Sequence, residues 1–145
     1  MRDAKPGDLL RVVEIYNATI ASRLATADLE PVSPESRLDW FAEHDPGHRP
    51  LWVVDIEGDV RAWISLSSFY GRPAYDGTVE ISVYVDERHR GQGLGSFLLG
   101  QAIARAPSLG IRTLLGFIFG HNTASIALFS RFEFEPWGWL PGVAI

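Results

Sequence analysis

The chain has no cysteine among its 145 residues. Disulfide bonds, thiolate metal sites and a cysteine nucleophile are therefore excluded. The sequence also has no apolar run near the roughly 18–20 residues that a membrane-spanning helix needs. Its first residues, MRDAKPGD, are too polar for a signal peptide. We therefore expect a cytoplasmic protein with no membrane-spanning segment.

Positive charge is scarce: 13 lysines and arginines stand against 18 aspartates and glutamates, giving a net charge of −5. This balance argues against a nucleic acid or an anionic membrane surface as the main partner. The histidines at positions 44, 48 and 121 lack the spacing of a metal site, so we expect no bound metal. The length is typical of one domain, which we place at residues 1–145.

The most informative stretch begins at residue 78. Apolar residues alternate with polar ones up to position 85, which predicts a half-buried strand over residues 78–85. The segment RHRGQGLG, residues 88–95, then predicts a turn rich in glycine and arginine. Apolar residues at helical spacing follow, and they predict a helix that ends before Pro107.

A strand, a glycine turn and a helix together form a site suited to a diphosphate. Glycine allows positive φ and a close approach of the backbone, and the N–H groups of such a turn and helix end attract anions. A Walker loop is excluded, because the chain has no Gly-Lys-Ser/Thr sequence. A dinucleotide site is disfavoured, because the glycines lie mid-chain and no acidic residue occurs between Glu87 and Glu133.

The segment RGQGLG, residues 90–95, matches the R/Q-x-x-G-x-G/A acetyl-CoA signature of the GNAT superfamily of N-acetyltransferases. The longer text RPAYDGTVEISVYVDERHRGQGLG resembles the phosphinothricin acetyltransferase-like branch, and the resemblance extends over about residues 3–134. It implies an enzyme that acetylates the primary amine of a small molecule with acetyl-CoA. Acceptors in that branch are amino-acid analogues such as phosphinothricin and methionine sulfone or sulfoximine. The resemblance also implies a homodimer, as is common in that family.

The remaining pattern agrees with this resemblance. It predicts helices over residues 8–22, from Ser33 to about residue 44, and over residues 122–131. Strands are predicted at residues 52–56, 60–69 and 113–119, with a last extended segment from about residue 134. This order indicates an α/β (α+β) fold, with a GNAT-like mixed, mostly antiparallel central sheet and helices on both faces.

The resemblance also implies the cofactor contacts. The pantetheine arm would pair with the main chain of residues 83–85, where the Val83 amide would also face the developing oxyanion. The turn would bind the pyrophosphate. Asn122 and Ser125 match a pantetheine-contacting N-x-x-S/A segment, although a helix cap with a small packing residue explains them equally. The predicted acetyl-CoA-binding residues are Val83, Tyr84, Val85, Arg90, Gly91, Gln92, Gly93, Leu94, Gly95, Ser96, Asn122 and Ser125.

Acetyl transfer to an amine needs a base, because an ammonium group has no lone pair. Glu80 is our candidate: it lies on the strand face opposite Ile81 and matches the family position proposed as the base. A solvated strand glutamate is the alternative. For the acceptor site we expect residues 25–30 and 69–75, with Tyr75 as a lining residue. Arg72 is either a bidentate carboxylate ligand or a solvated loop arginine.

The sequence departs from the family pattern towards its C-terminus. Many relatives carry Tyr or His in place of Phe129, as a proton donor to the departing thiolate, and Gly in place of Glu133. The residues after Trp137 and Trp139 leave room for one late strand, so the C-terminal hairpin is expected to be shortened. The aromatic tail is then either a dimer contact or ordinary core. These departures leave a non-catalytic acyl-CoA-binding or sensing module as the alternative function.

Overall fold

A sheet of five strands, in the order β1-β2-β3-β4-β5, organises the structure. The computed structural model describes residues 1–20, 28 and 30–141. The first three strand pairs are antiparallel, and β5 lies parallel to β4. The strands are β1 (Arg2–Asp3), β2 (Leu51–Ile56), β3 (Asp59–Ser68), β4 (Thr78–Val85) and β5 (Thr113–Leu115). A hairpin joins β2 to β3 through Glu57 and Gly58, both at positive φ.

The helices lie near their predicted positions. They are α1 (Leu9–Asn17), α2 (Leu38–Ala42), α3 (Leu94–Arg105) and α4 (Thr123–Arg131). The first two begin with single 3₁₀ turns, Pro6–Asp8 and Glu35–Arg37. α1 ends before the predicted position, because after Asn17 the hydrogen bonds change to a turn pattern: Thr19 N–H donates to Tyr16 O and Ile20 N–H donates to Asn17 O. Positions 21 and 22 of the predicted helix lie outside the described residues. Asn122 caps α4 as expected.

Helices cover both faces of the sheet, so the predicted fold class is confirmed. On one face, α3 and α4 bury a core that contains Leu98 and Leu99 from α3 and Ile81 from β4. On the other face, α1 packs Val12 and Ile15 against a second core around Trp63 on β3. The Trp63 indole N–H donates to the backbone oxygen of Val12 at 3.0 Å, which fixes α1 against the sheet.

The C-terminal part of the sheet differs from the prediction. The strand expected over residues 113–119 stops at Leu115, since only Thr78, Val79 and Glu80 of β4 pair with it before the two chains diverge. The extended segment expected from residue 134 forms no strand within its described part, residues 134–141. Pro136 and Pro141 provide no N–H group there for a sheet ladder.

The aromatic tail divides between core and surface. The Phe134 ring packs edge-on against Phe129, with 4.9 Å between ring centroids. Trp137 and Trp139 are 76% and 75% exposed, so the interpretation as ordinary core is wrong for these two residues. Within the described residues, no helix has both the length and the apolar character needed to cross a membrane.

Candidate active site

Strand β4 separates two kinds of surface. Its Val79 and Ile81 side chains are buried against α3, whereas Glu80, Ser82 and Tyr84 face the opposite side, towards α1. The opposition of Glu80 to Ile81 that the sequence predicts is therefore confirmed. Glu80 is half-buried and lies where β4 still pairs with both neighbours, opposite Ser67 on β3 and Leu115 on β5.

Glu80 lines a cavity of about 200 Å³ between α1, α2 and the sheet. The cavity wall combines aromatic rings, three serine hydroxyls and two charged groups. The residues concerned are Tyr16, Trp40, Trp63 and Tyr84; Ser65, Ser67 and Ser82; and Arg37 and Glu80. A cavity that combines aromatic walls with convergent polar groups is a common form of small-molecule site.

The aromatic wall of the cavity is a continuous set of ring contacts. Trp63 stacks on Tyr84 with 4.7 Å between centroids, and Tyr16 meets Tyr84 edge-on at 5.2 Å. Trp40 contacts Trp63 at 5.5 Å on the other side. Because aromatic side chains in mutual contact have little rotamer freedom, the cavity is preformed by the fold.

The electrostatics of the cavity favour a base at Glu80. Burial raises the pKa of its carboxyl above the ordinary value, because desolvation penalises the charged form. Burial, together with the neighbouring Tyr16 and Glu80, likewise raises the pKa of the Tyr84 hydroxyl, so Tyr84 stays protonated at neutral pH. A carboxylate with a raised pKa is a stronger proton acceptor than a solvated one.

The second part of the site is the glycine turn between β4 and α3. Gly91 and Gly93 have φ values of 79° and 78°, and an added Cβ at either position would have no atom within 4 Å. Within the described part of the chain, the backbone N–H groups of residues 90–96 have no protein acceptor. These outward donors and the N-terminus of the 12-residue α3 fit a pyrophosphate.

An aspartate anchors this turn, and sequence reasoning missed it. Asp86 accepts hydrogen bonds from the Arg88 backbone N–H at 2.9 Å and from Nη2 of Arg88 at 2.8 Å. Arg11 on α1 also donates to the Asp86 carboxylate. These contacts hold the pKa of Asp86 well below its usual range. The position of Asp86, just before a short helix, was the available signal for a cap.

The third part of the site is a gap between β4 and β5. The Asp86 N–H donates to Arg61 on β3 at 2.8 Å. Because main-chain direction alternates along an antiparallel pair, Val83 and Val85 point their N–H and C=O groups away from β3. In the described structure β5 does not extend to that level. The main chain of Tyr84 faces β3 instead, and its ring faces the cavity.

Other predicted residues lie apart from the cavity. The Asn122 side chain accepts from the Ser125 N–H at 3.2 Å, so the helix-cap interpretation is confirmed for Asn122. Tyr75 is 45% exposed and meets Tyr70 edge-on at 5.2 Å. Neither Tyr75 nor Arg72 lines the cavity. Most of the predicted acceptor segment 25–30 lies outside the described residues.

These features agree with comparisons to known proteins. Residues 12–134 match the model of a protein family described as "Acetyltransferase (GNAT) family". The chain is a member of this GNAT family. A Bacillus subtilis protein named "Putative phosphinothricin acetyltransferase YwnH" is 55% identical over 99% of this chain and 88% of its own length. The L-methionine sulfoximine/L-methionine sulfone acetyltransferase of Pseudomonas paraeruginosa is 36% identical over 99% of this chain and 84% of its own.

A solved GNAT structure shows the same fold. The phosphinothricin acetyltransferase of Sinorhizobium meliloti, in complex with AcCoA, superposes with a TM-score of 0.91 at 32% identity. The match covers 99% of this chain and 78% of that one. The predictions of the family, its phosphinothricin acetyltransferase-like branch and an acetyl-CoA-dependent acetyltransferase are confirmed.

Proposed function

We propose that this GNAT enzyme transfers the acetyl group of acetyl-CoA directly to the primary amine of a small amino-acid analogue, of the phosphinothricin or methionine sulfone type, with Glu80 as general base. The observation that carries the proposal is the position of Glu80. It is a half-buried carboxylate in the wall of the cavity, on the strand whose edge is open towards the glycine turn. The names of the two relatives support this acceptor class.

The proposed reaction uses two sides of β4. The acceptor occupies the cavity beside Glu80, and the thioester lies along the open edge at Val83 and Val85. Glu80 removes a proton from the ammonium group, directly or through water, and the freed nitrogen forms a C–N bond with the thioester carbonyl carbon. The Val83 N–H stabilises the charge that develops on the carbonyl oxygen. The nitrogen of the tetrahedral intermediate loses its second proton to solvent, the C–S bond breaks, and CoA leaves as a thiolate.

The departing thiolate takes its proton from solvent in this proposal. Phe129 occupies the position of the expected acid, but it is a hydrocarbon ring, 7% exposed and packed into the core. A thiol has a reference pKa of about 8.5, so a thiolate is an acceptable leaving group near neutral pH. The remaining proposed cofactor ligands are the outward N–H groups of residues 90–96, with Ser125 near the pantetheine.

The direct test measures CoA-thiol release from acetyl-CoA with a panel of α-amino acids, their analogues and simple amines. We expect acceptor-dependent release from the wild type and a roughly 10²–10⁴-fold lower kcat in Glu80→Gln, since this is the usual contribution of a general base. Glu135→Gln is the matched control, because it makes the same isosteric change at an exposed glutamate in the tail. It should retain wild-type turnover.

Two results would count against the proposal. Unchanged turnover in Glu80→Gln would remove Glu80 from the mechanism. Binding of acetyl-CoA without turnover of any acceptor would favour the acyl-CoA-binding or sensing alternative.

We also propose that the enzyme is a homodimer. Support comes from the exposed tail, where Leu140 is 66% exposed beside the two exposed tryptophans, Trp137 and Trp139. Sedimentation of the wild type and of Trp137→Ser/Trp139→Ser tests this: a dimer that the double substitution dissociates is the expected result, and a wild-type monomer contradicts it.

A further inference from the structure

The acceptor cavity contains a cation that the sequence did not single out. Arg37 is the last residue of the 3₁₀ turn before α2, and its side chain reaches the cavity that Glu80 lines. It is 30% exposed, so most of the side chain is buried against the wall while part remains accessible. Among its described lining residues, the cavity thus presents one cation and one carboxylate to a bound molecule.

The guanidinium of Arg37 is held in place by two contacts. Its Nη2 donates to Oδ2 of Asp28 at 3.0 Å, and its central carbon lies 5.3 Å from the centroid of the Tyr16 ring. Tyr16 also donates its hydroxyl to the same Asp28 carboxylate. A guanidinium fixed by an ion pair and a ring loses less rotamer freedom when it binds a ligand.

Part of this guanidinium is still available. An arginine has five N–H donors, arranged as a planar fork. Within the described residues, Arg37 makes one hydrogen bond, from Nη2. Nη2 has two N–H groups, one beside Nε and one beside Nη1, so one edge of the guanidinium still presents two parallel donors. A carboxylate is the group that such a fork binds best, through short charge-assisted hydrogen bonds.

The other candidate arginine lies elsewhere. Arg72 is exposed, immediately before the 3₁₀ turn Pro73–Tyr75, and is absent from the lining of the cavity. Arg37 and Glu80, by contrast, line the same cavity of about 200 Å³. That volume suits a small zwitterion with adjacent positive and negative groups.

We infer that Arg37 binds the α-carboxylate of the acceptor, while Glu80 receives the proton of its α-amine. The inference rests on the proposed function and makes it more specific: the acceptors are α-amino acids, and amines without the carboxylate are poor substrates. Asp28 keeps the fork of Arg37 oriented. Arg37 is therefore a residue that determines specificity and does not take part in proton transfer.

The test compares methionine sulfone with its decarboxylated amine, 3-(methylsulfonyl)propylamine, in the wild type and two Arg37 variants. The wild type should prefer the amino acid. In Arg37→Met, kcat/KM for the amino acid should fall about 10–100-fold, mainly through KM, because one charged hydrogen-bonded contact is lost. The same variant should use the amine almost as well as the wild type does. Arg37→Lys should recover only part of the loss, since lysine lacks the fork.

Two further variants show whether the effect is specific to Arg37. Arg105→Met removes a positive charge from the exposed side of α3 and should leave the preference for the amino acid unchanged. Arg72→Met tests the competing assignment. If Arg72→Met abolishes the preference and Arg37→Met preserves it, the carboxylate is bound by the loop and the inference is overturned. Equal loss of both substrates in Arg37→Met also overturns it, because this indicates damage to the cavity.

Binding of the amino acid, measured by calorimetry in the presence of CoA, separates this inference from the proposed function. Weaker binding in Arg37→Met, in a chain without turnover, would support the carboxylate site and contradict the proposed function. If the enzyme turns over its acceptors and Arg37→Met keeps the preference for the amino acid over the amine, the result would support the proposed function and contradict the carboxylate site. Failure of the wild type to bind any α-amino acid would contradict both.

Discussion

Asp86 and Arg11 are 75 residues apart in sequence, and their ion pair joins the first helix to the turn that follows the central strand. Asp86 is 5% exposed, and it also holds Arg88 at the start of this turn. A single carboxylate therefore connects α1, which forms one wall of the cavity that Glu80 lines, to the glycine turn.

Asp86→Asn should destabilise the protein by about 1–3 kcal/mol at neutral pH, since it removes the most buried of the carboxylates around Arg11 and leaves the more exposed Glu14 at 3.5 Å and Asp59 at 3.9 Å. The pKa of Asp86 is lowered in the folded state, so its stabilising effect is present above the ordinary aspartate pKa of about 3.9 and is lost as pH falls below that value. Urea unfolding at pH 7 and pH 3 measures this. A difference that persists undiminished at pH 3 would contradict the ion-pair explanation.

The effect of Glu80 on stability should depend on pH in the opposite direction from that of Asp86, because burial raises the pKa of the Glu80 carboxyl. As a base it must be ionised, so kcat/KM should fall as pH drops through a value above the ordinary glutamate pKa of about 4.3. This acidic limb should be absent in Glu80→Gln. The charged form is the destabilised one, so Glu80→Gln should also unfold at a higher temperature than the wild type at pH 7, with no difference below pH 4. A less stable variant at pH 7 would contradict this prediction.

Gly116 follows β5 and lies against the Phe129 ring. A Cβ at Gly116 would lie 2.8 Å from Cε2 of Phe129, closer than real contacts allow. We expect Gly116→Ala to cost about 1–3 kcal/mol, because the buried ring has to shift. Thermal unfolding measures this cost, with Gly7→Ala as the control at a position with nothing within 4 Å.

Gly116→Ala should destabilise a Phe129→Leu variant less than it destabilises the wild type, because the leucine side chain is shorter than the phenylalanine ring. The resulting coupling energy, about 0.5–3 kcal/mol, identifies the contact as the cause. Additive effects of the two substitutions would show that the cost has another source.

Glu133 has a φ of 64°, in the left-handed region just after α4, at a position where the family resemblance leads us to expect glycine. Glu133→Gly should stabilise the protein by about 0.5–1 kcal/mol, since relief of the left-handed strain exceeds the extra chain entropy of glycine in the unfolded state. Glu133→Ala is the control: it removes the same charge but keeps the strain, so it should give no gain. Chemical denaturation distinguishes the two, and equal gains would point to charge instead of backbone conformation.

The strand, the turn and the helix around β4 were predictable because their signals are local. Alternation of apolar residues specified β4, and the glycines specified the positive-φ turn. The opposition of Glu80 and Ile81 follows from the period of a strand alone. The sequence pattern and the family resemblance pointed to the same fold independently.

The parts that were missed depend on distant neighbours. Arg37 reaches the cavity only because α2 is packed across the sheet face, and no local pattern reveals that position. Asp86 acquires its importance from Arg11, far away in sequence. The early end of β5 reflects its divergence from β4, since residues 116–119 remain apolar or small and resemble a strand by composition.

The divergence of β4 from β5 affects how resistant the protein is to proteolysis. If the pantetheine arm completes this edge, as proposed, a metabolite supplies hydrogen bonds that a neighbouring strand would otherwise provide. Any ligand that binds only the folded chain raises its stability in proportion to the logarithm of the ligand concentration. We therefore expect the resistance of this enzyme to proteolysis to follow the supply of acetyl-CoA, so that a starved cell would clear it faster than a well-fed one.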